Sequence, residues 1–157
     1  MRLWDWVVLA HGAPGADAAL IQLQDEHGQC VSFLLWGAWS ACEGRPLSAG
    51  LLAQGARLAR RWEGAVTMPI RAARRALKPD WPGIAEAARL GLRARVKSDE
   101  LDAERLLLEA LEALTPDPSI GKGDMAASLQ ATAAAWAEPP PAILLDGLVT
   151  MFEALNF

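Results

Sequence analysis

The chain has 157 residues, 52% hydrophobic and 22% charged, with a formal net charge of −4. One compact domain of this size buries roughly 70% of its unfolded surface, which excludes any need for a metal or disulfide to hold it and excludes a disordered chain. Two cysteines, Cys30 and Cys42, are too few for a disulfide framework, and no apolar run approaches the roughly 18 residues of a spanning helix.

The start, MRLWDWVVLAHG, places Asp5 between two tryptophans and has too short an apolar run for a signal peptide. The expectation is therefore a cytoplasmic chain, away from the membrane, with both cysteines as small buried hydrophobes. Alanine is abundant, tyrosine is absent and isoleucine and valine are sparse, a composition that favours helix over strand. The predicted class is all-α: a single-domain helical bundle over residues 1–114, with a linker and a short two-helix C-terminal appendage over 115–157.

In chain order, Leu3 to His11 forms a first helix with Leu3, Trp6, Val7 and Ala10 on one face, stopped by Gly12. Pro14 occupies the first position of a second helix, which carries Asp17 in its first turn and ends at Gly28. Val31 to Cys42 is the most apolar segment. A buried strand competes there, but the 12-residue length and the closing Gly44 favour a central helix, with Gly37 and Ala38 open to a close neighbour. Ser48 caps the next helix, whose face is Leu51, Leu52, Leu58, Ala59 and Trp62. Pro69 predicts a kink or two abutting helices before Leu77.

After the loop Lys78-Pro79-Asp80-Trp81-Pro82-Gly83, the longest helical pattern runs from Ile84 to Leu114, with a change of spacing at Ser98-Asp99 that predicts a second kink. Thr115 to Asp124 is a linker by composition. Met125 to Ala137 and Ala142 to Leu155 follow as helices, separated by Pro139-Pro140-Pro141.

The residue groups Leu3-Trp4-Asp5-Trp6, Pro14-Gly15, Leu23-Gln24-Asp25 with His27-Gly28, Leu34-Leu35-Trp36 and Gly44-Arg45 occur in that order. Trp62, Pro69-Ile70-Arg71, Arg74 to Lys78 and the run from Arg95 to Arg105 follow. Together they resemble a bacterial family of short proteins that carries only a domain-of-unknown-function label. The resemblance covers Leu3 to Leu114 and implies no activity, cofactor or catalytic residue.

Chemical motifs are few. Asp25, Glu26, His27 and Cys30, with His11 and Cys42, lack the paired ligand spacing of a metal site, and no metal or cofactor is expected. Cys30 lies near His27, but its apolar flank from Val31 to Leu35 argues against a nucleophilic thiolate. Trp4, Asp5, Asp25, His27, Trp36 and Arg45 are the candidates for a tryptophan-rich N-terminal pocket, with Asp25 and Arg45 alternatively forming a structural pair.

Charge is segregated. Of the 15 Lys and Arg, 12 lie between Arg45 and Lys97, giving that segment +9 and the remainder −13. Arg71, Arg74, Arg75 and Lys78 share one helical face, and Arg57, Arg60 and Arg61 precede them on nearly the same face. Either an acidic partner meets this face, or Asp99, Glu100, Asp102, Glu104 or the N-terminal acids neutralise it internally. The sequence therefore suggests a non-enzymatic interaction or adaptor protein that uses the basic face and the apolar C-terminal helix. Its partners would be an acidic protein or, as second choice, nucleic acid, with homo-oligomerisation through the C-terminal helix. The alternative is a small-ligand-binding protein or enzyme at the N-terminal pocket.

Overall fold

Val31–Cys42 is buried at ten consecutive positions, Ser32 to Ala41, so it is apolar on every side and must be enclosed by other helices. A computed structural model of the chain describes residues 1–119 and 121–155, and in it this segment, α3, is the axis of an all-helical fold with no strand among the described residues. Around it lie α1 (Leu3–Gly12), α2 (Ala16–His27), α4 (Ala49–Trp62), α5 (Met68–Ala76), α6 (Glu86–Leu114), α7 (Met125–Trp136) and α8 (Ala142–Glu153). Helices α1, α2, α4, α6 and α7 all pack directly on α3.

The polar atoms of α3 are met by the segments that surround it. Trp36 Nε1 donates to Thr115 Oγ1 at 2.7 Å and Trp39 Nε1 to the Met1 carbonyl at 3.0 Å. Helix α7 approaches where Gly37 has no side chain. Thr132 fills the space a Cβ would take, and Ser128 Oγ donates to the Gly37 carbonyl at 2.7 Å. The linker is bound to the end of α3 as well: Ser119 N donates to Gly44 O and Gly123 N to Ala41 O, each at 2.7 Å. Leu129 and Ala133 of α7 and Leu145, Leu148 and Phe152 of α8 belong to the same buried cluster as α1 to α4. Phe152 meets Trp6 edge-on, ring centroids 5.2 Å apart. The apolar face of the C-terminal helix is thus buried within its own chain, leaving Ile143 exposed.

Two local expectations change and a third gains a detail. Pro14 lies before α2, which starts at Ala16 after Gly15 turns the chain at φ 84°. At Pro69 the predicted pair of abutting helices is present as α4 and α5, with a joint the sequence did not show. Because Pro69 has no N–H, the helix widens ahead of it into a π turn, Glu63–Thr67, where Met68 N bonds to Glu63 O. Ser98-Asp99 does not break α6, which runs unbroken for 29 residues. The spacing shifts there because the helix passes from a projecting half, where only Arg89 is buried between residues 86 and 99, to a packed half.

Trp36→Ala should remove about 3–5 kcal/mol of stability, because the ring is fully enclosed and its cavity cannot collapse inside a helix packed on all sides. Chemical denaturation measures this; a loss under about 1 kcal/mol would mean that the ring is not a core element.

Candidate functional site

Helix α5 buries none of its residues and is held to α6 chiefly by charge. Arg71 and Arg74 lie three apart on α5, and Glu100 and Glu104 four apart on α6, so each pair shares a helical face. Arg71 Nε donates to Glu100 Oε1 at 2.8 Å and its Nη2 to Glu104 Oε1 at 3.0 Å, while Nη1 lies 3.8 Å from Glu63 Oε2. Arg74 Nε donates to the second oxygen of Glu100. The π turn carries Glu63 into this group beside the fully buried Thr67. Three carboxylates therefore surround two guanidiniums.

The three do not titrate alike. Burial raises Glu63 and Glu104 above the ordinary glutamate value, and the nearby Arg71 charge offsets only part of that. Burial would raise Glu100 as well, but the bonds from Arg74 and Arg71 bring it below. Arg89, a residue the sequence pattern did not single out, completes the hairpin. It is buried on α6 and donates to the Leu77 and Lys78 carbonyls at 2.8 and 2.9 Å and to Asp80 at 2.8 Å, closing the end of α5. An arginine in a long polar helix gives no sequence signal of this role.

Two clefts flank the charged group. The larger, about 680 Å³, lies between α1–α2 and α6, lined by Trp4, Val8, Leu20, Ile21 and Leu101 together with Arg71, Arg74, Lys97, Asp102 and Glu104. His11 and Asp17 pair at its edge, Nδ1 to Oδ1 2.6 Å. The smaller, about 410 Å³, has Asp25, Gln29, Cys30, Glu63, Arg75 and Trp136 on its walls.

The six residues proposed for one tryptophan-rich pocket are not brought together. Trp4 lines the larger cleft and Asp5 is exposed on α1. Asp25 pairs with Arg75 at 3.0 Å in the smaller cleft, and His27 is half-buried at the end of α2. Trp36 is enclosed in the core. Arg45 donates to the Pro116 carbonyl at 2.9 Å and lies over the Trp39 ring, so it forms no pair with Asp25. The reason is geometric: α3 is the axis, and side chains at helical spacing on it and its neighbours point in several directions around the bundle.

The basic face is divided in the same way. Arg71 and Arg74 are turned onto α6, and Arg75 onto Asp25. Arg60 stacks on Trp136 and donates to the carbonyls of Ala135 and Trp136. Arg57, Arg61 and Lys78 remain exposed, with no ion pair among the described residues. Of the four acids named on α6, Glu100 and Glu104 make these bonds; Asp99 and Asp102 make none of them.

Both thiols are held up by burial, Cys30 far above its ordinary value, so neither is a ready nucleophile. Among the described residues no three of His, Cys, Asp and Glu are placed to hold a metal ion.

Glu100→Gln should cost about 3–5 kcal/mol, since it leaves two half-buried guanidiniums without their shared carboxylate. Glu104 behaves oppositely with pH. Its raised value means that its contribution is complete below the ordinary 4.5 and is lost as pH rises through the folded value. Glu104→Gln should therefore gain stability relative to the parent as pH rises above 4.5, which paired denaturation curves at several pH values will measure.

A family model described as "Protein of unknown function (DUF2390)" matches residues 2–111, which spans α1 through most of α6. No curated protein and no solved structure matches the chain. With more than half of its residues matched, the chain belongs to the DUF2390 family.

Proposed function

We propose that the protein is a non-enzymatic interaction protein that docks an acidic protein partner on the α5–α6 hairpin and the outer face of α4. The supporting observation is the exposed mixture that remains once the internal ion pairs are counted. Trp81, Ile84, Leu90 and Leu92 on the hairpin are each at least 41% exposed. Arg57, Arg61, Lys78, Arg95 and Lys97 are exposed, with no ion-pair partner among the described residues. Apolar side chains supply binding energy where water is excluded, and unpaired cations around them select an acidic partner and speed its approach.

Nucleic acid is the weaker partner for this surface. Trp81 is the sole aromatic on the hairpin, so there is no ladder on which bases could stack. The partner surface of this reading is not the full stripe from Arg57 to Lys78 but its outer members, joined to the free half of α6. The wider role is that of an adaptor working in the cytoplasm, where reduced thiols suit two cysteines held apart from any disulfide.

The combined variant Arg57→Glu, Arg61→Glu and Arg95→Glu should fold with unchanged or slightly higher stability, because it relieves repulsion and breaks no ion pair. It should lose a partner that the parent recovers from nuclease-treated host extract and releases as salt rises. Retention of every partner by this variant, or loss of the partner from the parent on nuclease treatment alone, would overturn the reading.

A further inference from the structure

The larger cleft has a chemistry distinct from the hairpin surface. Its walls carry Trp4, Val8, Ile21 and Leu101, and among the carboxylates that line it Asp17 is paired with His11, Asp102 lies in open solvent and Glu104 is half-buried, its side chain 29% exposed. Glu104 receives Arg71 on Oε1 alone; Oε2 accepts no hydrogen bond among the described residues. Glu100 is occupied on both oxygens by Arg71 and Arg74, and Glu63 faces the smaller cleft. The internal group is thus one cation short, and the carboxylate with a free oxygen is the one that opens into an apolar cavity.

We propose that this cleft binds a compact apolar amine as its ammonium ion, the hydrocarbon part against Trp4, Val8, Ile21 and Leu101 and the N–H groups donating to Glu104 Oε2. The opposite choice, an anion held by Lys97, is the poorer match. Lys97 lines the cleft together with Glu104 but makes no ion pair there among the described residues. It is exposed there, and pairs in open solvent contribute little. A bond to a desolvated carboxylate is among the stronger kinds of hydrogen bond, and a cavity of about 680 Å³ accommodates a small ligand.

Titration calorimetry of the full chain at neutral pH with hexylammonium, phenethylammonium and hexanoate tests this. Both ammonium ions should bind and hexanoate should not. Glu104→Gln should weaken ammonium binding about tenfold or more, the loss expected for a hydrogen bond to a charged group. Ile21→Trp, at an exposed position on the wall, should fill the space and abolish binding without touching the ionic group. Hexanoate binding as tightly as hexylammonium, no ammonium binding at millimolar concentration, or undiminished binding in a folded Glu104→Gln protein would each overturn the assignment. If Glu104→Gln does not fold, Ile21→Trp decides: retained ammonium binding places the amine elsewhere. The hairpin variant keeps the cleft intact and should bind amines normally, so the two proposals fail separately.

Discussion

Everything in this fold follows from enclosing one helix on all sides. Helix α3 is buried at every position from Ser32 to Ala41, so no single neighbour can cover it, and its indole N–H groups and backbone must find partners without water. The chain meets these demands with segments distant in sequence. Met1 accepts from Trp39, Thr115 from Trp36, and Ser128 closes on Gly37. An N-terminal residue, a linker and a tail helix are thereby fixed in place by the needs of α3, and their order is a consequence of its burial.

A second constraint governs the other end of the molecule. Helix α5 buries no residue of its own, yet it stays on α6 because Arg71 and Arg74 share Glu100. Paired buried charges add little net stability against their desolvation cost, but removing one partner leaves an uncompensated charge. The group therefore fixes orientation more than it stabilises. Beyond it the hairpin projects, with Arg89 closing its tip, and its apolar side chains stay exposed because nothing among the described residues covers them.

The π turn links the two constraints. Pro69 cannot continue the α-helical ladder, so the backbone widens at Glu63–Thr67, buries Thr67 and carries Glu63 to Arg71. A third carboxylate thus joins two guanidiniums, and the surplus acid is what gives the clefts on either side their distinct electrostatics. One proline sets the charge balance of the ionic group several residues away.

Much of the architecture was legible in the residues. Alanine-rich helical spacing, Ser48 as a cap and Gly28 as a terminator placed the helices, and the apolar run from Val31 to Cys42 marked the axis, because these signals are local and periodic. The basic stripe was visible too, and glutamates on α6 were named as one way to neutralise it. Sequence could not decide between that and an external partner, because Arg71 and Glu100 are 29 residues apart and their meeting depends on how the hairpin closes. Nor could it say that Trp4, Asp25, Trp36 and Arg45 face different surroundings, since the direction of each side chain around the bundle is set by packing. Helical periodicity fixes which residues share a helix face; only the tertiary structure determines what that face meets. The clefts and the charge surplus at Glu104 depend on long-range pairing of helices, which no local pattern encodes.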